Sequence, residues 1–302
     1  MTLGELYLEC RKKLTHDTAD FDLSQLLTAQ FGSVPSIRSA ADPVSAVFQV
    51  PPSVRRPEME VSAEDAFIFQ MKVKRLADGY PLQYLLGEWE FYSVPLKVGE
   101  GVLIPRPDTE TLVDAALALL AGRTEPVVAD LCSGSGAIAL AIAKNHPDAK
   151  VYAVEVSPEA LYYLYENIEM NKLGGRVEAI SGDVFETLAL PPLDLPFPTP
   201  PYLTARELEE LDQTVRYEPA LALDGGEDGL RFYRRISEIG SLLLRPGGTL
   251  MFEVGYQQAD AVASIMRDRG YGTIAFQQDL NQIRRCVSGV WPITVKETVK
   301  AE

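Results

Sequence analysis

Apolar residues follow two rhythms along this chain, and the change of rhythm divides it. Near the start, Leu3, Leu6, Tyr7, Cys10 and Leu14 recur at the spacing of one helix face. Leu23, Leu26, Leu27 and Phe31 repeat the pattern up to Gly32. Pro51, Pro52 and Pro57 punctuate a loop. Ala63 to Leu76 then reads as another helix, with Ala66, Phe67, Met71 and Leu76 on or near one face. Residues 1–80 are therefore expected to form a small helical domain. Between 81 and 104 the period shortens to two. Two short alternating segments flank Gly99-Glu100-Gly101, which predicts a β-hairpin connector over 81–104.

From 105 onward, short apolar runs alternate with helical stretches, the mark of an α/β domain spanning 105–302. Prolines on both sides of Arg106 extend the backbone before a helix from Glu110 to Leu120, with Asp108 or Thr109 as its cap. Val127 to Leu131 reads as a buried parallel strand. Cys132-Ser133-Gly134-Ser135-Gly136 follows as a tight turn into the helix Ala137 to Asn145. A helix start of this kind presents free N–H groups to a ligand. The next strand, Val151 to Val154, ends in Glu155, about 20 residues beyond the glycines, where nucleoside-binding folds place a ribose-binding carboxylate. Ser157-Pro158 opens a helix with a cap residue and a proline at its first position. A third strand, Val177 to Ile180, leads to Ser181-Gly182-Asp183. Leu230 to Leu244 and Ala259 to Arg269 read as helices around a strand from Thr249 to Val254. Thr273 to Gln277 and Arg285 to Ser288 are expected to pair as a closing antiparallel hairpin.

The chain has 302 residues, 46% of them apolar, enough for one large domain and a smaller one. Its net charge of −15 is unevenly spread. Residues 1–84 carry 9 Lys/Arg against 11 Asp/Glu, a net of −2, which leaves −13 for residues 85–302. An acidic second half repels phosphate backbones, so direct nucleic-acid binding is not expected. Cys10, Cys132 and Cys286 are odd in number and far apart, which suggests reduced thiols rather than disulfides or a zinc site. His16 and His146 are the only histidines, so no metal is expected. No apolar run nears the ~18 residues of a membrane span. Glu5 and Glu9 stand where a signal peptide would be basic and apolar. The expectation is a cytoplasmic monomer without membrane contact.

Strand and glycine turn, strand and acid, strand and acid, in that order, resemble the class I S-adenosylmethionine methyltransferases. A dinucleotide dehydrogenase is the rival, with Ala139 as its third small residue, but no hydride-transfer site accompanies it. Longer segments narrow the resemblance. Gly87-Glu88-Trp89-Glu90-Phe91-Tyr92 and Leu103-Ile104-Pro105-Arg106-Pro107-Asp108-Thr109-Glu110 resemble segments of the peptide-chain release factor glutamine methyltransferases. So do Glu218 to Gly229 with Tyr233, and Arg245-Pro246-Gly247-Gly248 followed by Phe252-Glu253-Val254-Gly255. The similarity runs from about residue 63 to 290.

That resemblance implies a Rossmann-like, seven-stranded and mostly parallel sheet with helices on both faces. It implies methylation of the side-chain amide nitrogen of glutamine in the Gly-Gly-Gln motif of bacterial release factors, which would be the protein partners. S-adenosylmethionine would be the methyl donor. By position, Cys132, Ser133, Gly134, Ser135 and Gly136 would wrap its methionine part. Glu155 would hold the ribose, where the family more often has aspartate, and Asp183 and Val184 would flank the adenine. Cys132-Ser133 stands where glycine and threonine are common, and Gln282 where glycine is common.

The catalytic segment departs most. Family members carry Asn-Pro-Pro-Tyr, and this chain has Thr199-Pro200-Pro201-Tyr202. In the family, the asparagine side chain and a proline carbonyl accept the two N–H bonds of the substrate amide, and the tyrosine packs against the glutamine. Thr199 would be a catalytic, substrate- and cofactor-contacting residue, with Pro200, Pro201 and Tyr202 beside it. Its hydroxyl is shorter than asparagine's amide and branched at Cβ. Pro196 and Pro198 also lie in what should be a central strand, Leu193 to Thr199, where prolines are normally excluded. Three alternatives stay open: an impaired homologue that binds cofactor or release factor without turnover, a glutamine methyltransferase of a ribosomal protein, and an adenine methyltransferase with a similar Pro-Pro-Tyr turn.

Overall fold

The chain forms two compact units. Met1–Glu88 with Asp212–Tyr217 forms one, and Trp89–Leu211 with Glu218–Glu302 forms the other. The computed structural model describes residues 1–31 and 57–293. Gly32, Pro51 and Pro52 lie outside the described residues. Among the described residues, no helix is long and apolar enough to cross a membrane.

In the first unit, α1 (Leu3–Arg11) starts at a capping box. Thr2 Oγ1 accepts from Glu5 N–H at 3.2 Å, and Glu5 Oε2 accepts from Thr2 N–H at 2.8 Å. It packs with α2 (Ala19–Phe31) and α3 (Ala63–Ala77) around Leu6, Tyr7, Cys10, Leu23, Leu26 and Phe69. The buried stripe of α3 is Ala66, Phe69, Val73 and Leu76. Phe67 and Met71, expected near that face, are 64% and 44% exposed. They form an i, i+4 pair one step round the helix, while 66, 69, 73 and 76 keep a true helical stripe. A short α4 (Leu82–Leu86) stops at Gly87, whose φ of +77° suits glycine. The later segment Asp212–Tyr217 joins this unit: Gln213 Nε2 donates to the Asp78 carbonyl at 2.7 Å, and Tyr217 meets Tyr80 edge-on at 5.1 Å.

The hairpin exists, but its turn is not Gly99-Glu100-Gly101. β1 (Glu88–Phe91) and β2 (Val94–Lys97) are joined by Tyr92-Ser93, with φ of +50° and +57°. Two left-handed central residues match the twist of a two-residue hairpin. Helix α5 (Glu110–Leu120) follows a 3₁₀ turn at Pro107–Thr109 and has no side-chain cap from Asp108 or Thr109. Both side chains are used elsewhere, as described below.

The rest of the second unit is a sheet between two helical layers. The four-stranded part is parallel, in the order β5 (Val177–Ser181), β4 (Lys150–Glu155), β3 (Val127–Leu131), β6 (Leu195–Pro196). The three-stranded part is antiparallel, in the order β7 (Thr249–Glu253), β9 (Arg284–Val290), β8 (Gly272–Gln278). Alternation sends Val128, Val151 and Leu195 to a core shared with α5, α6 (Ala137–Asn145) and α7 (Pro158–Met170). Ala129, Leu131, Leu250 and Phe252 face a second core, under α9 (Arg231–Leu243) and α10 (Ala259–Asp268), which follow the short α8 (Ala205–Glu209).

The seven strands do not form one continuous ladder, and the prolines explain where it breaks. Phe197 N–H donates to the Ala129 carbonyl on β3 at 2.8 Å. Towards β7, the Asp194 and Pro198 carbonyls accept from Thr249 and Glu253 N–H at 3.0 and 3.1 Å. By alternation, Pro196 and Pro198 both face β7. Their missing N–H groups delete only the return bonds to that neighbour, and the ladder to β3 survives. The strand expected over 193–199 accordingly shortens to Leu195–Pro196. Replacing both, as Pro196→Ile with Pro198→Ser, restores two donors worth about 0.5–1.5 kcal/mol each. Proline's stiffening of the unfolded chain offsets part of that gain. The variant is expected to unfold at higher urea, by about 1–2 kcal/mol; a lower midpoint would show that the prolines fit this strand better than hydrogen-bonding residues do.

Candidate active site

The chain steps from β3 outward to β4 and β5 on one side, then crosses back to place β6 on the other. Ligands of open parallel sheets bind at such a reversal, beyond the carboxyl ends of the strands. The turn after β3 and the Thr199–Tyr202 segment after β6 flank it.

Three left-handed residues shape the turn after β3: Cys132, Gly134 and Gly136, at φ of +68°, +54° and +82°. Gly136 is required twice, because a Cβ there would also lie 2.5 Å from Leu164 Cδ1. At Gly134 the nearest atom to such a Cβ is Val102 Cγ2 at 3.9 Å, so that side of the turn is open. Cys132 holds a conformation that disfavours side chains by about 1–2 kcal/mol. Burial and the nearby Glu155, Asp130 and Asp183 carboxylates push its thiol well above the usual range. Ser133 Oγ is buried and, among the described residues, without a hydrogen-bond partner.

Two carboxylates fix this turn. Glu155 Oε2 accepts from Gly134 N–H at 2.7 Å, and its Oε1 accepts from Val156 and Ser157 N–H, both at 2.9 Å. The extra methylene of glutamate, relative to the aspartate more common here, lets it bridge β4's own exit and the neighbouring turn. Gly182 N–H donates to the Glu155 carbonyl at 2.9 Å, which brings Asp183 and the buried Val184 alongside. Asp183 closes its own turn by accepting from Phe185 N–H. The second carboxylate is Asp130, fully buried on β3. Its Oδ2 accepts from Ala139 N–H at 3.1 Å, serving as the cap that α6 lacks. Oδ1 has no partner. Burial pushes its pKa to about 8, and the Glu155 charge adds to the rise while the Ala139 bond opposes it.

Around Thr199-Pro200-Pro201-Tyr202, segments from across the second unit converge. A Cβ on Gly225 would lie 2.7 Å from Tyr202 Cα, one on Gly255 would lie 2.9 Å from the Tyr202 ring, and one on Gly229 would strike the Tyr202 carbonyl. Leu203 N–H donates to Leu223, and Gly225 N–H to Leu203, at 2.9 and 2.8 Å. Pro200 and Pro201 are buried, and Thr199 and Tyr202 are half-buried. The Ile104–Thr109 loop is tied down beside them. Buried Glu218 accepts from Ile104 N–H at 2.9 Å and pairs with the Arg106 guanidinium. Arg285 pairs with Asp108 and, at 2.9 Å, with Asp279. Thr109 hydrogen-bonds to Glu253, which is why neither residue caps α5. Burial raises the Glu253 carboxyl to about 7, against the pull of Thr109 and Arg285, and its Oε2 has no partner among the described residues. Burial, then the Glu253 charge, raises the Tyr202 phenol.

Asp130, Glu253 and Arg285 were not singled out from sequence. The acids carried a signal, since each interrupts an apolar strand at an inward position; Arg285 carried none. Among the described residues, no group of three or more His, Cys, Asp or Glu is placed to hold a metal ion.

Asp130 makes stability depend on pH. Its folded pKa, about 8, lies above the usual carboxylate value. The folded state therefore keeps a proton that the unfolded chain has released, and stability falls as pH rises from about 4 to 8. Asp130→Asn keeps the acceptor for Ala139 and removes the titration. Urea midpoints of this variant should vary less across that window; an unchanged slope would show that Asp130 is ionised in the folded protein.

A model of the TRM5/TYW2 methyltransferase domain matches residues 114–191, the stretch that holds β3, β4 and β5. The hMettl16 catalytic domain, solved with a MAT2A 3'UTR hairpin, covers 67% of this chain and 77% of its own at 15% identity and a TM-score of 0.54, a likeness of fold alone. A release factor glutamine methyltransferase of Moorella thermoacetica is 44% identical over 220 residues, which is 73% of this chain and 78% of that protein. One from Geobacter sulfurreducens is 43% identical over 221 residues, 72% and 75% of the two chains. At this identity and coverage, the chain belongs to the release factor glutamine methyltransferase family.

Proposed function

We propose that this protein methylates the side-chain amide nitrogen of the glutamine in the Gly-Gly-Gln motif of peptide-chain release factors, using S-adenosylmethionine. The observation that carries the reading is the convergence of Gly225 and Gly229 on the Tyr202 backbone and of Gly255 on its ring, within a chain 44% identical to a relative of that name.

The turn after β3 fits the cofactor. Ser133 Oγ is an unpaired buried hydroxyl, the Gly134 side is open, and the Glu155 carboxylate is already oriented by three N–H groups. Ser133 and Gly134 would hold the methionine part, Glu155 the ribose, and Asp183 and Val184 the adenine. S-adenosylmethionine supplies, when bound, a methyl group on a sulfonium. An amide nitrogen is a poor nucleophile, because its lone pair is delocalised into the carbonyl. The protein's task is to hold that nitrogen in line with the methyl, with both N–H bonds fixed. Thr199 Oγ1 and the Pro200 carbonyl would accept those bonds, and Tyr202 would pack the side chain.

Glu155→Ala removes three charge-assisted bonds from the turn as well as the proposed ribose contact. Cofactor binding should weaken by about 1.5–3 kcal/mol. Unchanged calorimetric affinity would take Glu155 out of the site.

Thr199 supports a second reading, a homologue impaired in turnover. Losing one well-placed acceptor is expected to remove on the order of 2–4 kcal/mol of transition-state stabilisation, by analogy with an oxyanion-hole donor. That corresponds to about 30- to 1,000-fold in rate. Thr199→Asn should raise turnover at unchanged cofactor affinity; a fall in turnover would identify Thr199 as a working substitute. The function itself is tested by incubation with labelled cofactor and, in parallel, release factor, ribosomal protein and DNA, followed by mass spectrometry. Methyl on the motif glutamine supports it, and methyl on a ribosomal protein or on DNA adenine alone would replace it.

Residues 1–80 are proposed to dock the release factor. A truncated protein should bind cofactor normally yet fail on intact release factor; full-rate modification by it would overturn that role.

A further inference from the structure

Gln258 precedes helix α10 at its cap position, yet its side chain makes no capping bond to that helix. It turns to the Tyr202 segment instead. Nε2 donates to the Tyr202 carbonyl at 2.9 Å and to the Gly229 carbonyl at 3.4 Å. Oε1 accepts from Gly255 N–H at 3.1 Å and from the Tyr233 hydroxyl at 3.4 Å. The orientation of the amide is forced. Two carbonyls need a donor on one side and a backbone N–H needs an acceptor on the other, so a flipped amide would set like against like twice.

The neighbours are shaped to admit it. A Cβ on Gly255 would lie 2.6 Å from Gln258 Oε1, and one on Gly229 would lie 2.7 Å from Nε2. Two glycines that clasp Tyr202 thus also make room for this one amide. Tyr233 is fully buried, and its hydroxyl shares its one hydrogen between Gln258 Oε1 and the nearer Glu253 carbonyl at 3.1 Å, so the clamp is anchored to the end of β7.

We infer that Gln258 is a positioning residue for methyl transfer: it fixes the Tyr202 carbonyl, and through it the placement of Thr199 and Pro200 against the substrate amide. The inference rests on the reading of Thr199–Tyr202 as the methyl-transfer site. Gln258 touches neither cofactor nor reacting atoms in this role. Its loss should therefore appear in kcat and leave cofactor affinity alone.

Two near-isosteric variants test it. Gln258→Met removes every hydrogen bond, and kcat should fall about 10- to 100-fold, the effect of slight misplacement of reacting groups. Amide exchange at Leu203 and Gly225 should quicken while that of β3 and β4 does not. Gln258→Glu can donate to Tyr202 only when protonated. Its turnover relative to the parent protein, measured at each pH, should therefore fall as pH rises. Parental turnover in Gln258→Met, a parallel loss of cofactor affinity, or a pH-independent ratio in Gln258→Glu would overturn the assignment. Should Gln258→Met fail to fold, the Gln258→Glu pH ratio alone decides. Should the parent itself not methylate release factor, the reading of the site fails, and exchange at Leu203 and Gly225 still decides whether the clamp exists.

Discussion

The second unit depends on one close backbone approach. Tyr202 lies so near Gly225, Gly229 and Gly255 that any Cβ at those three positions would meet it. Three segments far apart in sequence must therefore fold onto one point before the end of β6 has a defined place. The Tyr202 carbonyl at this approach needs a donor, and Gln258 supplies it. A turn held this way is rigid for reasons that lie outside its own sequence. That matters for a reaction whose nucleophile must be oriented rather than activated.

Buried carboxylates do the equivalent work at the neighbouring turn and loop. Glu155 binds three N–H groups across two strands, Asp130 caps α6 from β3, and Glu218 holds the Ile104–Arg106 backbone. Each satisfies backbone donors that a loop beyond a sheet would otherwise expose to water. Burial is why Asp130 titrates so high, and the neighbouring Glu155 charge adds to the rise. The net charge of −15 is thus partly architectural.

Elements with strong periodicity were legible in the sequence: β3, β4 and β5, the helices α6 and α7, and the β8–β9 hairpin lie where the apolar pattern put them. Places where backbone conformation departs from composition were not. The hairpin turn falls at Tyr92-Ser93, a pair with no turn signature, while Gly99 and Gly101 drew attention to the wrong loop. Cys132 and Gln282, at φ of +68° and +63°, occupy conformations that glycine usually fills, so their identity hides the geometry. The prolines of β6 looked incompatible with a central strand because sequence cannot say which neighbour a missing donor faces. Of the residues around the candidate site, those in motifs were legible. Gln258 was not, since a lone glutamine becomes informative only when its four partners are known.

The central claim is that the Thr199–Tyr202 segment receives the glutamine amide. A crystal structure with S-adenosylhomocysteine and a glutamine-containing peptide tests it most directly. The amide nitrogen is expected to donate to the Pro200 carbonyl and to Thr199 Oγ1, directly or through one water, with Tyr202 against the side chain. Glutamine bound elsewhere, or an amide nitrogen that donates to neither group, would contradict the account.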